Sequence, residues 1–435
     1  MAATFYRVDP WTLMFKFIHA ADIHLDSPLT GLQRYEGAPV DEIRSATRRA
    51  FDNLIDLAIS EQVAFVLIAG DLYDGDWKDY NTGLYFVERM ARLAKANINA
   101  YVIAGNHDAA SQITRALRLP ENTILFDTKK PQTVKIEALN VAIVGQGFAT
   151  QAVTADISEG YPMAEPGLFT IGLLHTCLDG KPGHAPYAPC SVDGLRAKGY
   201  QYWALGHVHN REVISEEPWI IFPGNIQGRH IRETGPKGCT LVSVEEAEVC
   251  AVQHKNLDVL RWARCKVDVS IWETTDQLYS HISEVLQNEL DQADGLAVAA
   301  RLELHGASSL HSTLQDNTAH WLQEYRALAT GLGGAGLWLE KVAFSTKPEI
   351  SNDDLLARGD ALSGLLQAIE QIELDDDALA KLTEEVAPLR SKLPPDILRN
   401  EAPTDQNQVK HALNDVRQLL SARLLSTEAA KDGQS

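Results

Sequence analysis

Two periods of apolar residues run through the first two-thirds of the chain. Val63–Ala69 carries no charge and is β-branched at Val63, Val66 and Ile68. Such a run reads as a strand buried on both faces, and it ends in Gly70-Asp71. Phe15–His19, Ala100–Ala104, Phe169–Leu174 and Tyr202–Leu205 share this apolar character. In Asp41–Ser60 the apolar residues Ile43, Ala50, Leu54, Leu57 and Ala58 instead fall on one helical face, and Tyr80–Ala96 behaves likewise. Ile124–Phe126, Thr133–Ile136 and Val141–Val144 read as short strands, and Trp219–Phe222, Cys239–Val244 and Val249–His254 as late hairpin strands. The order β, α, β, α, β, then mostly β, predicts a layered α/β sandwich.

The pattern changes near Asn256. Strands at Cys265–Ile271, Ala297–Glu303 and Leu337–Phe344 alternate with helices at Thr275–Glu289 and Leu310–Leu328, and the glycine-rich Thr330–Gly336 reads as a loop. This is the pattern of a small separate α+β domain. Ile350–Ala422 has helical periodicity, with breaks at Pro394-Pro395 and Pro403 and an acidic run at Asp375-Asp376-Asp377. The division expected is an N-terminal extension over 1–14, a principal domain over 15–256, an α+β domain over 257–348 and a helical tail over 349–435. Residues 1–13 carry no pattern, and Met14 stands immediately before the first strand.

Composition changes this picture in three ways. The formal charge of −20 removes any global attraction for nucleic acid, which proteins grip through Lys and Arg contacts to phosphate. Action on DNA or RNA would need divalent metals, a local basic patch such as Arg229, His230 and Arg232, or a partner. No apolar run approaches the roughly 20 residues of a membrane span, and the first residues lack a signal-peptide pattern, so a cytoplasmic location is expected. The cysteines, Cys177, Cys190, Cys239, Cys250 and Cys265, are odd in number and form no Cys-x-x-Cys pair. Buried reduced thiols are expected rather than a disulfide framework or zinc site.

Candidate chemistry sits just after the apolar strands. Asp22-Ile23-His24, Gly70-Asp71, Gly105-Asn106-His107-Asp108, His175 and Gly206-His207-Val208-His209 each follow one. The carboxyl ends of strands in an open α/β sheet converge on one edge, so these stretches can meet. Asp-x-His and His-x-His put two ligands on one side of an extended segment. Two divalent cations about 4 Å apart can clamp a phosphate and activate water, and one carboxylate must then bridge them. Asp71, at the end of a rigid buried strand, suits that place. Mixed imidazole, carboxylate and amide ligands suit manganese, iron or zinc better than magnesium. His184 and Tyr187 lie in a loop after His175, and Lys129-Lys130 in a turn.

These five stretches, in this order, resemble the calcineurin-like metallophosphoesterase superfamily, whose pattern is Asp-x-His, Gly-Asp, Gly-Asn-His-Asp, His and Gly-His-x-His. The resemblance covers Phe15 to Asn256. Phe17–Leu25 and Phe222–Arg229 are similar to SbcD-type DNA repair exonucleases. His24–Leu29 and Gln227–Glu233 are similar to the bacterial YhaO-like subgroup. The resemblance implies an αββα sandwich with an α+β capping domain and a helical arm. It implies a first metal held by Asp22, His24 and His209, a second held by Asn106, His175 and His207, and Asp71 bridging both. Two divalent ions are implied, manganese first, with iron, zinc and magnesium as the other candidates. His107 would contact the scissile phosphate or protonate the leaving oxygen, and Asp108 would orient His107. The implied reaction is attack of a metal-bound hydroxide on phosphorus in DNA. The tail would dock an SbcC-type coiled-coil ATPase, and two chains could pair. One departure stands out: the nuclease pattern has His three residues after the bridging Asp, where this chain has Asp74. Asp74, His184, Arg229, His230 and Arg232 are the candidate substrate contacts. Two other functions fit the same pattern: a phosphatase or phosphodiesterase for small molecules or phosphoproteins, and a non-catalytic scaffold in an ATPase complex.

Overall fold

The computed structural model describes residues 14–27, 40–74, 80–110, 118–178, 188–349, 359, 361–374, 376–390, 409, 413 and 416. Two sheets of six strands each form the principal domain. In the first, β1 (Met14–Ala20), β2 (Phe65–Ala69), β3 (Asn99–Ile103) and β4 (Thr123–Leu125) run parallel, and the hairpin β11 (Gly238–Glu245) and β12 (Glu248–Asn256) adds to β1 antiparallel. In the second, β6 (Val141–Gly145), β7 (Phe169–His175), β8 (Tyr202–Gly206) and β10 (Trp219–Phe222) are parallel. Antiparallel β5 (Gln132–Ile136) and β9 (Glu212–Glu216) close its edges.

The period-two pattern explains the layering. Phe17, Phe65, Leu67, Tyr101 and Ile103 of the first sheet pack into one buried cluster with Ile143, Ile171, Leu173, Tyr202 and Ala204 of the second. Phe17 stacks on Phe65 at 5.2 Å and meets Tyr202 edge-on at the same distance. The alternate residues Ile18, Val66, Ile68 and Val102 pack with Ala50, Phe51 and Leu54 of α1 (Val40–Ser60) and Phe86 and Met90 of α2 (Tyr80–Lys95). Outside the second sheet, Leu174, Trp203 and Leu205 pack with Tyr161, Tyr200 and Leu195, the last on α4 (Val192–Ala197), the label α3 being kept for Asn106–Ala110. The result is the layered α/β sandwich that the alternation predicts, in the αββα order that the resemblance implies.

By contact density the chain divides into two compact units, one of residues 1–264, 288–300 and 333–340 and the other of 265–287, 301–332 and 341–435. A third sheet orders β13 (Leu260–Asp268), β14 (Ala297–Ala307) and β15 (Leu337–Lys347), with α5 (Thr275–Gln292), α6 (His311–Asp316) and α7 (Thr318–Gly333) in the connections. Two further helices, α8 (Ala361–Leu374) and α9 (Asp376–Arg390), follow. The proline breaks expected in the tail lie outside the described residues.

The structure differs from the sequence pattern in four places. β9 is not predicted: its Glu-Val-Ile-Ser-Glu is half polar because it forms an edge. β10 pairs with β8 and β9 rather than with the late hairpin. The helix expected over 310–328 is two helices, and α7 continues through Gly331 to Gly333, a stretch read as loop. Interior glycine costs a helix only about 1 kcal/mol, which neighbouring turns can absorb. Finally, four cysteines are buried but Cys250 is exposed, on the half-exposed edge strand β12. Among the described residues no helix is long and apolar enough to cross a membrane.

Phe17 is fully buried between the sheets. Phe17→Ala should therefore lower the stability of the metal-free protein by about 3–5 kcal/mol, read from urea unfolding.

Candidate metal centre

β1, β2 and β3 are neighbours in one sheet, and β7 and β8 in the other, and each releases a polar stretch at its carboxyl end. Main-chain hydrogen bonds tie these ends together. Asp22 N–H donates to Gly70 O at 3.1 Å, His24 N–H to Asp71 O at 2.9 Å, and Thr176 N–H to Gly206 O at 3.1 Å. Asp22, His24, Asp71 and His207 have φ of 50°, 47°, 52° and 107°. This region is sparsely populated by residues with a Cβ, and such outliers cluster at functional sites because the surroundings over-determine them. Two glycines permit the close approach. A Cβ at Gly105 would lie 2.3 Å from Asp71 Oδ1, and one at Gly206 would lie 1.9 Å from Ala69 O.

Among the described residues three groups of candidate ligands result: Asp22 with His24 and His209, Asp71 with His175 and His207, and His24 with Asp74 and His107; the first and second of these match the expected metal positions. In the first, His24 Nε2 is 3.3 Å from His209 Nε2, and Asp22 Oδ1 is 3.9 Å from His209 Nε2. In the second, His175 Nε2 is 2.9 Å from Asn106 Oδ1. Asp71 Oδ2 stands between the groups, 3.9 Å from His24 Nε2 and 3.5 Å from His175 Nε2. Its Oδ1 accepts the His107 N–H at 2.9 Å, while both oxygens of Asp22 accept the His207 N–H.

The donor set fits divalent cations. His175 gives its Nδ1–H to Ala69 O at 2.9 Å, so its Nε2 presents a lone pair to another acceptor, Asn106 Oδ1. His209 gives its Nδ1–H to Glu233 Oε1 at 2.7 Å, which turns the Nε2 lone pair toward His24. Acceptors facing acceptors without a donor between them are costly unless a cation stands there. Burial pushes His175 down to about 3, so it is neutral and free to coordinate. Burial, then the charge of Asp71, raises Asp22, and burial raises Asp71 to about 6. Two buried carboxylates this close resist ionisation until positive charge joins them.

Asp108 does not orient His107 as expected. Its oxygens accept N–H groups of Leu72 at 3.1 Å, Tyr73 at 2.8 Å and Gly105 at 2.9 Å, fastening the two metal-bearing loops to each other. The carboxylate on His107 is Asp74, whose Oδ1 lies 2.8 Å from His107 Nδ1. The hydrogen bond that His107 Nδ1–H donates to Asp74 raises the pKa of His107. Although burial opposes it, the hydrogen bond from His107, the nearby His24 ring and the Ser27 hydroxyl hold Asp74 far below the usual carboxylate range. The resemblance pointed to the adjacent Asp108, but Asn106–Ala110 is a helical turn, α3, on which neighbouring side chains diverge.

The other candidates are placed as follows. Arg229 is at the centre's margin, its Nη1 3.5 Å from Asp74 Oδ2 and its Nη2 3.2 Å from Glu233 Oε1, so its charge is shared between carboxylates. His230 and Arg232 are exposed on the same segment. His184 and Tyr187 lie outside the described residues. Glu233 is the residue the sequence pattern passed over. Nothing local marks it, and only its place in Gln227–Glu233 hinted at a role. His19, a further buried histidine, is not part of the centre; it bonds Tyr202 OH and Leu205 O, each at 3.0 Å.

Comparison with known proteins follows this geometry. The calcineurin-like phosphoesterase profile matches residues 15–211, and that of the middle domain of metallophosphoesterase YhaO matches residues 262–347. The uncharacterised metallophosphoesterase YhaO of Bacillus subtilis is 36% identical over 296 residues, 67% of this chain and 72% of that protein. The DNA double-strand break repair protein Mre11 of Sulfurisphaera tokodaii is 27% identical over 258 residues, 56% of this chain and 63% of that one. Mre11 of Sulfolobus acidocaldarius is 29% identical over 290 residues, 63% of this chain and 71% of that one.

The two carboxylates beside His107 should separate by assay. Asp108→Ala strands three buried N–H groups and should cost about 3 kcal/mol or more in urea unfolding. Asp74→Asn keeps an acceptor oxygen for its neighbours and should destabilise less than Asp108→Ala, while lowering phosphoester turnover.

Proposed function

Because the chain belongs to the calcineurin-like metallophosphoesterase family, in its YhaO-like branch, we propose that it is a two-metal phosphodiesterase that cuts DNA, with manganese as the working ion. The observation that carries the hydrolytic part is Asp71 Oδ2 standing between two sets of acceptor atoms. The DNA part is supported by the Mre11 relatives. Asp22, His24 and His209 would hold one ion, Asn106, His175 and His207 the other, and Asp71 both. When bound, the ions would polarise the phosphate and make water a nucleophile near neutral pH.

The remaining work falls to the protein's own groups. His107 is the imidazole open to solvent at the mouth, its side chain 37% exposed. With Nδ1 turned to Asp74, its Nε2 is free to donate to the phosphate or to the leaving oxygen. Asp74 favours the protonated ring and fixes its rotation. Arg229 lends positive charge to the margin, and exposed His230 and Arg232 would meet the DNA backbone farther out. The α+β domain over 257–348 would cap the centre, and the helical tail would dock an SbcC-type ATPase that supplies the DNA affinity an acidic chain lacks. Pairing of two chains belongs to the same reading.

One observation favours a second reading, a phosphatase or small-molecule phosphodiesterase on the same centre. Asp74 stands where the nuclease pattern has an imidazole, so the phosphate-facing side is less cationic than in that pattern.

Wild type with Mn²⁺ should digest linear or plasmid DNA and lose this activity to a chelator. His107→Ala should lower turnover by about 100-fold or more, as loss of a general acid does, and Asp71→Ala should abolish it. Equal digestion by wild type and Asp71→Ala would expose a contaminating nuclease. Turnover of p-nitrophenyl phosphate or bis-p-nitrophenyl phosphate with DNA left intact would select the second reading.

A further inference from the structure

The imidazoles around the two metal positions are backed by different groups. At the first position His209 gives its Nδ1–H to Glu233 Oε1 at 2.7 Å, and His24 turns Nδ1 toward Asp74 Oδ1 at 3.6 Å. Arg229 spans the two carboxylates, 3.5 Å from Asp74 Oδ2 and 3.2 Å from Glu233 Oε1. Each carboxylate is further pinned. Glu233 Oε2 accepts the Arg229 N–H at 2.8 Å and Asn225 Nδ2 at 3.0 Å, and Asp74 Oδ2 accepts the Ser27 hydroxyl. A ring of contacts His24–Asp74–Arg229–Glu233–His209 therefore runs behind the first position, hydrogen-bonded at His209 and held at His24 by the longer 3.6 Å charge contact alone. At the second, His175 gives its Nδ1–H to the neutral Ala69 carbonyl at 2.9 Å.

A carboxylate behind an imidazole raises the basicity of the coordinating nitrogen and locks the ring, and losing such a partner commonly weakens metal affinity 10–100-fold. A neutral carbonyl orients the ring but adds no charge. Two extra carboxylates beside Asp22 and Asp71 would repel them, and Arg229 offsets part of that repulsion while fixing both in place. We infer that Asp74, Arg229 and Glu233 are a positioning ring that makes the Asp22–His24–His209 position the tighter of the two metal positions, leaving the Asn106–His175–His207 position the more exchangeable. This rests on the two-metal reading above. Within the ring Glu233 is the clean handle: its hydrogen bonds and ion pairs run to His209, Arg229, His230 and Asn225, not to His107 or His175.

The test is titration of metal-free full-length protein with Mn²⁺ by calorimetry, with bound metal counted by mass spectrometry, so that no readout depends on turnover. Wild type should show two steps of separated affinity. Glu233→Gln keeps the acceptor oxygen and removes the charge; it should weaken the tighter step by about 10–100-fold and leave the weaker step unchanged. Asp74→Asn should weaken the same step through the other imidazole, and serves if Glu233→Gln does not fold. Circular dichroism of the metal-free variants should match wild type, showing that the fold is retained. Two wild-type steps of equal affinity would overturn the inference, as would variants that weaken both steps alike or neither. Wild type binding fewer than two ions would instead remove the two-metal reading, before any variant is compared.

Discussion

The cost of burying Asp22 and Asp71 side by side governs this protein. Both are nearly inaccessible to solvent, and burial alone pushes both toward protonation. A pair of carboxylates in that setting is stable only if main-chain donors, glycines without side chains and incoming positive charge are all arranged around it. The fold supplies the first two. Each carboxylate accepts an N–H from a loop leaving another strand, His107 for Asp71 and His207 for Asp22, so the centre also stitches the sheets' ends together. Positive charge is what the family's two divalent ions bring.

The sandwich is what makes such an arrangement possible. Packing Phe17 and Phe65 against Tyr202 fixes β1, β2 and β8 relative to one another. Their carboxyl ends then cannot separate, and the left-handed φ values at Asp22, His24 and Asp71 persist because the flanking strands hold them. Asp108 extends the same logic, spending its whole carboxylate on three N–H groups of two loops. A strongly polar residue in a catalytic-looking stretch is here a fastener, while the carboxylate that meets the His107 ring is Asp74.

Around the candidate ligands lies a second layer of charged side chains in contact with them. Glu233 holds His209, Asp74 faces both His24 and His107, and Arg229 joins the two carboxylates. Asp74, which departs from the nuclease pattern, is thus built into the centre rather than being a tolerated variation.

The sequence by itself determined the strands, the helices that cover them, and the seven metal-ligand candidates, because these rest on local signals. Periods of two and 3.6 follow from backbone geometry, and Asp-x-His or Gly-His-x-His after an apolar run needs no knowledge of distant residues. Half-polar β9, the split of the helix over 310–328 and the true partner of β10 were not legible, since edge position and strand pairing are settled between segments. The roles of Asp108, Asp74 and Glu233 were decided by the tertiary structure alone. Which carboxylate reaches an imidazole depends on how loops from different strands meet across the sheet edge, and nothing in the spacing of residues 71, 74, 108 and 233 encodes that meeting.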